Sequence, residues 1–279
     1  MEADRFQAAQ FRLLHPDLVP QRREVLSHAA SMLVQMGLDD TLVSASPVHQ
    51  RLARVVLASS DVIEWSPARG YGLDEPTDYD VHFGVVRVGG DRGAVFLSGL
   101  LIAYLDVLEN AARMGTTLPE EDWRTLMWAP TALFDHVLGR APAGMTITTP
   151  ARRGPEHLPQ ERWMTGHRLF YALLQAVRFA VGGVLRASVD GAESQVVDEI
   201  ELATSTLRAA TVALRFAGDV APGAVPQGTR LETRDHCYLW KVLDQVRVAA
   251  PRVLYERYAT ALRRLNDLRT STALLAAGN

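Results

Sequence analysis

Three histidines stand where their neighbours could put them to chemical use. His167 lies in "ERWMTGHRLFYALLQAVRFAV" (residues 161–181), a stretch apolar on almost every side. Such a helix must be buried among others, so its polar residues His167, Tyr171, Gln175 and Arg178 are the informative ones. At about 100° per residue, His167, Tyr171, Leu174, Arg178 and Arg186 fall near one line, with Trp163 a turn earlier. A neutral imidazole there could ligate heme iron. Arg178 on the same face could pair with a propionate, and Gly166 could let a flat macrocycle approach the backbone. The competing reading is a core histidine bonded to a nearby carbonyl.

His82 sits in "DYDVHFGVV", two residues after Asp80 and on the same side if the segment is a strand. There it could work as an acid/base or orient a substrate, or it could simply bond backbone. "RDHCYLWKV" places Asp235 as a helix N-cap, followed by His236 and Cys237. His236 is therefore the second candidate iron ligand. Glu201, Arg208 and Arg215 recur at steps of seven. If buried, this stripe would suit propionates or an amino-acid carboxylate; if exposed, it is a solvated face. Glu24 and His28, four apart, could serve non-heme iron only with further carboxylates from other helices, and no matching Glu-x-x-His follows.

Other signatures are missing. The chain has no GxGxxG, P-loop, HExxH, GxSxG or CxxC. Cys237 is the single cysteine, which excludes an internal disulfide and a Cys-cluster metal site. A net charge of −3 gives no footprint for nucleic acid. Lys241 is the only lysine, a skew that reflects codon usage rather than function. The first residues do not read as a signal peptide, and no stretch is expected to span a bilayer. A soluble, cytoplasmic protein without membrane or nucleic-acid partners is the expectation.

The elements that must position these residues are mainly helices. Helical spacing predicts helices over 17–37 and 46–65, then a loop over 66–80. Alternation of Tyr79, Val81, Phe83 and Val85 predicts a small strand-like segment near 79–88. An apolar helix to Gly115 comes next, then two short helices interrupted at Pro130. After a loop over 141–160, long helices follow at about 160–186 and 195–218, with another segment from 233 and a last helix opened by Pro251. The expected fold is mostly α, a bundle of long helices forming one domain over 1–279, with a soft internal boundary near 141–160.

Three segments carry a family resemblance: "GHRLFYALLQAVRFAV", "DEIELATSTLRAATVALRF" and "YERYATALRRLNDLRTSTALL". Their order resembles the heme-dependent aromatic oxygenase superfamily, of which tryptophan 2,3-dioxygenase is a member. In length the chain is more similar to the bacterial heme-dependent L-tyrosine hydroxylases of antibiotic pathways. The resemblance covers about 110 to 120 residues, and the first half lacks the dioxygenase's N-terminal histidine-plus-aromatic segment. It implies an all-helical fold holding heme b and an aromatic amino-acid substrate. It further implies oxygenation by peroxide or dioxygen, such as ring hydroxylation of L-tyrosine to 3,4-dihydroxyphenylalanine. On it, His167 is the proximal ligand and His82 the distal catalytic group, with Tyr171, Arg178 and Arg208 around the cofactor. His236 stays open as ligand, as do a thioether at Cys237 and a homodimer. The alternatives are a helical small-molecule-binding protein without catalysis and a non-heme iron oxidase.

Overall fold

A computed structural model describes residues 11–36, 65–67, 77–140, 149–150, 159–220 and 233–277. Among them are nine α-helices and three short strands, so the protein is a mostly α bundle. The helices are α1 (Arg22–Met36), α2 (Asp78–His82), α3 (Arg92–Met114), α4 (Glu120–Leu138), α5 (Pro159–Val189), α6 (Glu193–Ala217), α7 (Arg234–Lys241), α8 (Leu243–Ala249) and α9 (Arg252–Ala277). The strands are β1 (Phe11–Leu14), β2 (Trp65–Pro67) and β3 (Val85–Gly90). The helix expected over 46–65 lies outside the described residues apart from Trp65, which opens β2.

The 31-residue α5 is the axis of the bundle. Its residues are buried from Thr165 to Val181 without a break, as an all-apolar helix requires. It packs along α6 over their length, with α3 on another side, while α4 and α9 cover α6. Two glycines let α5 and α6 approach closely. A Cβ on Gly166 would come within 2.7 Å of the Ala217 backbone, and one on Gly183 would overlap the Glu199 carboxylate. Gly166 therefore serves helix packing, and the expectation that it makes room for a macrocycle is corrected.

Local chemistry sets the helix ends. Asp91 caps α3 by accepting from Ala94 N at 3.1 Å, and Gly115 ends it at φ 69°. Glu120, Glu121 and Asp122 place negative charge at the start of α4. Pro130 lies inside this one continuous helix, where two short ones were expected. At its end Gly139 adopts the left-handed conformation while Arg140 N donates to Asp135 O.

The strand expected near 79–88 divides. Thr77 accepts a hydrogen bond from Asp80 N, which starts the short helix α2 instead. Gly84, at φ 61°, then turns the chain into β3. β3 is central in the order β1-β3-β2, parallel to β1 (Phe11↔Val85) and antiparallel to β2 (Trp65↔Gly90). The sheet packs its apolar residues on α3. α3 and α5 are each long and apolar enough to cross a membrane, contrary to expectation, but 72% and 83% of their most apolar windows are buried inside the bundle.

Candidate active site

Two neighbouring groups of side chains, one aromatic and one charged, meet along one side of α5. The aromatic group surrounds His167. Its ring stacks on Phe83 at 4.5 Å between centroids and 16° between planes, and Trp163 lies 4.1 Å away at a tilt. Tyr79 sits 4.6 Å from Phe83 and meets Tyr171 edge-on at 4.2 Å. Phe83 owes its place to the Gly84 turn and to Arg168, whose Nε donates to Phe83 O at 3.0 Å. The hydroxyls of Tyr79 and Tyr171 and the indole Nε1 of Trp163 are buried without a hydrogen-bond partner among the described residues.

His167 Nδ1 lies 2.8 Å from Trp163 O, an acceptor, so Nδ1 carries the proton and Nε2 keeps its lone pair. Burial drives the imidazole's pKa down to about 4, which keeps it neutral near pH 7. A neutral ring with a fixed tautomer and a free Nε2 is what a metal-bound histidine needs. His167 thus fits heme iron by donor chemistry. It satisfies the core-histidine reading too, since the two share the same carbonyl bond.

His82 closes α2 and is exposed, with its ring edge-on to the other side of this aromatic group, 4.7 Å from Phe83. It does not share a strand face with Asp80. Two residues along a helix point them apart, and Asp80 is buried against Arg87 at 2.9 Å.

The charged group begins two turns further along α5. Arg178 lies 3.5 Å from Asp235 and 3.7 Å from Asp17, and its guanidinium covers the Tyr238 ring at 3.9 Å. Its carboxylate contacts are long and its Nε has no hydrogen-bond partner among the described residues, so it keeps capacity for a further anion, three turns along α5 from His167. Arg87 on β3 joins Asp80 to Asp235, 3.8 Å away, and donates to Leu14 O at 3.1 Å. Gln175 donates to the same carbonyl at 2.7 Å. Asp235 is fully buried in the first turn of α7, and burial raises its pKa against the pull of Arg87 and Arg178. The N-cap expected of Asp235 is instead Thr233, which accepts from His236 N at 2.9 Å.

His236 is buried as well, and burial lowers its pKa to about 4. Its Nε2 accepts from Trp240 Nε1 at 3.3 Å, so the lone pair that a metal would need is engaged. Of the two candidate ligands, His167 is the better prepared.

Other expected positions lie apart from the site. Arg208 is exposed on α6 and cannot line a buried cofactor. Its stripe is the solvated face, with Glu201 near Arg257 and Arg215 on Asp122. Glu24 pairs with Arg92, and His28 with Asp91 at 2.9 Å, which leaves no iron site in that pair. Sequence reasoning missed Arg87, Phe83 and the burial of Asp235, and it set Asp80 beside His82 rather than on Arg87. One signal was available: a charged Arg178 on an all-apolar helix demands a buried carboxylate somewhere.

The chain superposes on a solved structure described as reduced SfmD soaked with sodium hydrosulfite, with a TM-score of 0.76 and 21% identity. The alignment covers 94% of this chain and 97% of that one, and at such identity it establishes the fold. No curated protein sequence shows significant similarity to the chain. Residues 12–265, which carry both the aromatic and the charged group, match the family described as SfmD 3-methyl-L-tyrosine peroxygenase; the chain belongs to that family of peroxygenases.

Proposed function

We propose that the protein is a heme-dependent peroxygenase that oxygenates the ring of an aromatic amino acid, with heme b held by His167. The observation that carries the reading is the imidazole of His167. It is buried, neutral and bonded through Nδ1 to Trp163 O, in a chain belonging to a peroxygenase family. A bound heme would supply the oxidising chemistry from peroxide. The chain's own residues hold and orient. Phe83 and Trp163 fix the ring plane of His167, and the Trp163 carbonyl fixes its tautomer. The exposed imidazole of His82, in T-shaped contact with Phe83, would exchange a proton with solvent at the rim of the aromatic group.

The proposed reaction is hydroxylation of L-tyrosine to 3,4-dihydroxyphenylalanine with peroxide, as a cytoplasmic step of antibiotic biosynthesis. The family's description favours a ring-methylated tyrosine as the competing substrate. Protein expressed with a heme precursor should show a Soret band and, with peroxide, add one oxygen atom to the preferred substrate. A colourless protein under those conditions would overturn the heme reading. Acid–acetone extraction should remove the pigment completely, whereas retained pigment would indicate a thioether at Cys237 in place of heme b.

A further inference from the structure

The charged group beside the aromatic one carries unsatisfied polar atoms of complementary kinds. Asp235 Oδ2 and Gln175 Oε1 are buried acceptors with no hydrogen-bond partner among the described residues, and Arg178 Nε is a buried donor in the same condition. Arg87 Nη1, 3.8 Å from Asp235 Oδ2, is too distant for a hydrogen bond. A purely structural buried ion network satisfies its members, because an unpaired buried donor or acceptor costs about 1–3 kcal/mol.

This molecule contains such a network for comparison. Arg162, 1% exposed against 9% for Arg178, uses Nε on Asn110 Oδ1, Nη1 on Asp219 and Nη2 on Gly115 O. Each of its three guanidinium nitrogens makes a hydrogen bond. Arg178 differs: its carboxylate contacts are long, 3.5 and 3.7 Å, and its Nε is unused.

The missing partner must bring N–H donors for Asp235 and Gln175 and an anionic acceptor for Arg178. Arg87 and Arg178 already face Asp80, Asp235 and the exposed Asp17, so a partner carrying both an ammonium and a carboxylate suits the group better than a bare anion or cation. An α-amino-acid zwitterion meets every one of these requirements. Its aromatic side chain would lie toward Tyr171, one turn before Gln175 on α5, and toward Tyr79, which meets Tyr171 edge-on at 4.2 Å. We propose that Asp235 receives the α-ammonium group of the amino-acid ligand while Arg178 faces its carboxylate. This identifies how the site selects a free amino acid, and so rests on the substrate class proposed above but not on heme.

The test is calorimetric binding to the full chain of four ligands: L-tyrosine, 3-methyl-L-tyrosine, N-acetyl-L-tyrosine and the des-amino analogue 3-(4-hydroxyphenyl)propanoate. The wild-type protein should bind at least one free amino acid about 10- to 100-fold more tightly than the acetylated and des-amino compounds, the range for a hydrogen bond to a charged group. Asp235→Asn should abolish that preference while changing the affinity for the des-amino analogue by no more than about threefold. Wild type that binds none of the ligands, or binds all of them alike, overturns the proposal without need of a variant. So does a folded Asp235→Asn protein, checked by circular dichroism, that keeps the preference or weakens all ligands equally. Discriminating binding in a protein that never oxidises its ligand would overturn the proposed function and leave this site standing. Oxidation of tyrosine with an unchanged preference in Asp235→Asn would do the reverse.

Discussion

His167 and Trp163, one helical turn apart, are joined through Nδ1 of the imidazole and the carbonyl oxygen of the indole residue at 2.8 Å. The bond leaves Nε2 as the ring's only available lone pair, whereas in His236 that atom already accepts from Trp240. His167→Ala should therefore abolish stable heme binding, and added imidazole should partly restore it. His236→Ala should leave ligation intact. Ferric spectra of both variants at equal protein concentration are the measurement. If His236→Ala loses the band and His167→Ala keeps it, the ligand is His236.

Both imidazoles also link stability to pH. Burial holds each near 4, while in the unfolded chain they titrate near about 6.5. Between those values the unfolded chain takes up protons that the folded protein refuses. Stability is then lost as the pH falls from about 6.5 to about 4, by at most ~1.4 kcal/mol per pH unit for each histidine. Asp106 acts in the opposite sense. Burial raises its carboxyl to about 6, so the folded protein binds that proton first. Its contribution is present at low pH and is lost as the pH rises through about 6. Urea denaturation from about pH 7 to about 4.5 should thus show a shallower acid loss in His236→Gln and a steeper one in Asp106→Asn. Parallel curves for all three proteins would refute the linkage.

The helices were legible in the sequence where local signals agreed. The apolar run of α5 and the stop at Gly115 predicted α5 and the end of α3 closely. Alternation misled at Tyr79 because one Thr77 side chain, bonding Asp80 N, outweighs four residues of strand-like pattern. Pro130 was read as a break, yet tertiary packing on both sides holds α4 continuous around it. In the site, His167, Tyr171 and His82 do gather round Phe83, but that residue was not singled out. Arg178 and Asp235 are 57 positions apart, and no periodicity connects them. Spacing left the Arg208 stripe open between a solvated face and an anion site, and the family resemblance set Arg208 beside Arg178 at the cofactor. Only the packing of α6 against α5 and α9 decides which arginine faces water.

Asp219 should be among the most sensitive positions in the bundle. It accepts from Thr116 Oγ1, Thr117 N and Arg162 Nη1, tying the α3–α4 turn to α5 beyond the end of α6. Asp219→Ala leaves the Arg162 charge buried without its carboxylate, a loss of about 3–5 kcal/mol. Chemical denaturation would measure it. A change below about 1 kcal/mol would mean that water replaces the carboxylate at little cost.

His82 touches the aromatic group from outside and holds nothing in the core. His82→Ala should leave the heme spectrum and the melting temperature close to those of the wild type. Turnover should fall by about 10²–10⁴, the range for an acid/base group. Loss of heme on this substitution would put His82 on the ligand side and exchange the roles of the two histidines.

Gly166 separates packing from cofactor binding more sharply than any histidine does. Its missing Cβ faces Ala217, where an added methyl carbon would lie 2.6 Å from the alanine Cβ and 2.7 Å from its backbone. Neither contact can be relieved by a side-chain rotation, so α5 and α6 must move apart where Gly166→Ala is introduced. The cost should be about 1–3 kcal/mol, typical of overpacking in a close-packed core. It should appear as a lowered melting temperature in heme-free protein, with heme affinity per folded molecule almost unchanged. Ala217→Gly removes one of the two colliding groups and should recover part of the loss in the double variant. Were Gly166→Ala to fold as stably as the wild type and fail only in heme uptake, the glycine would belong to the cofactor's side of α5 and the packing account would be wrong.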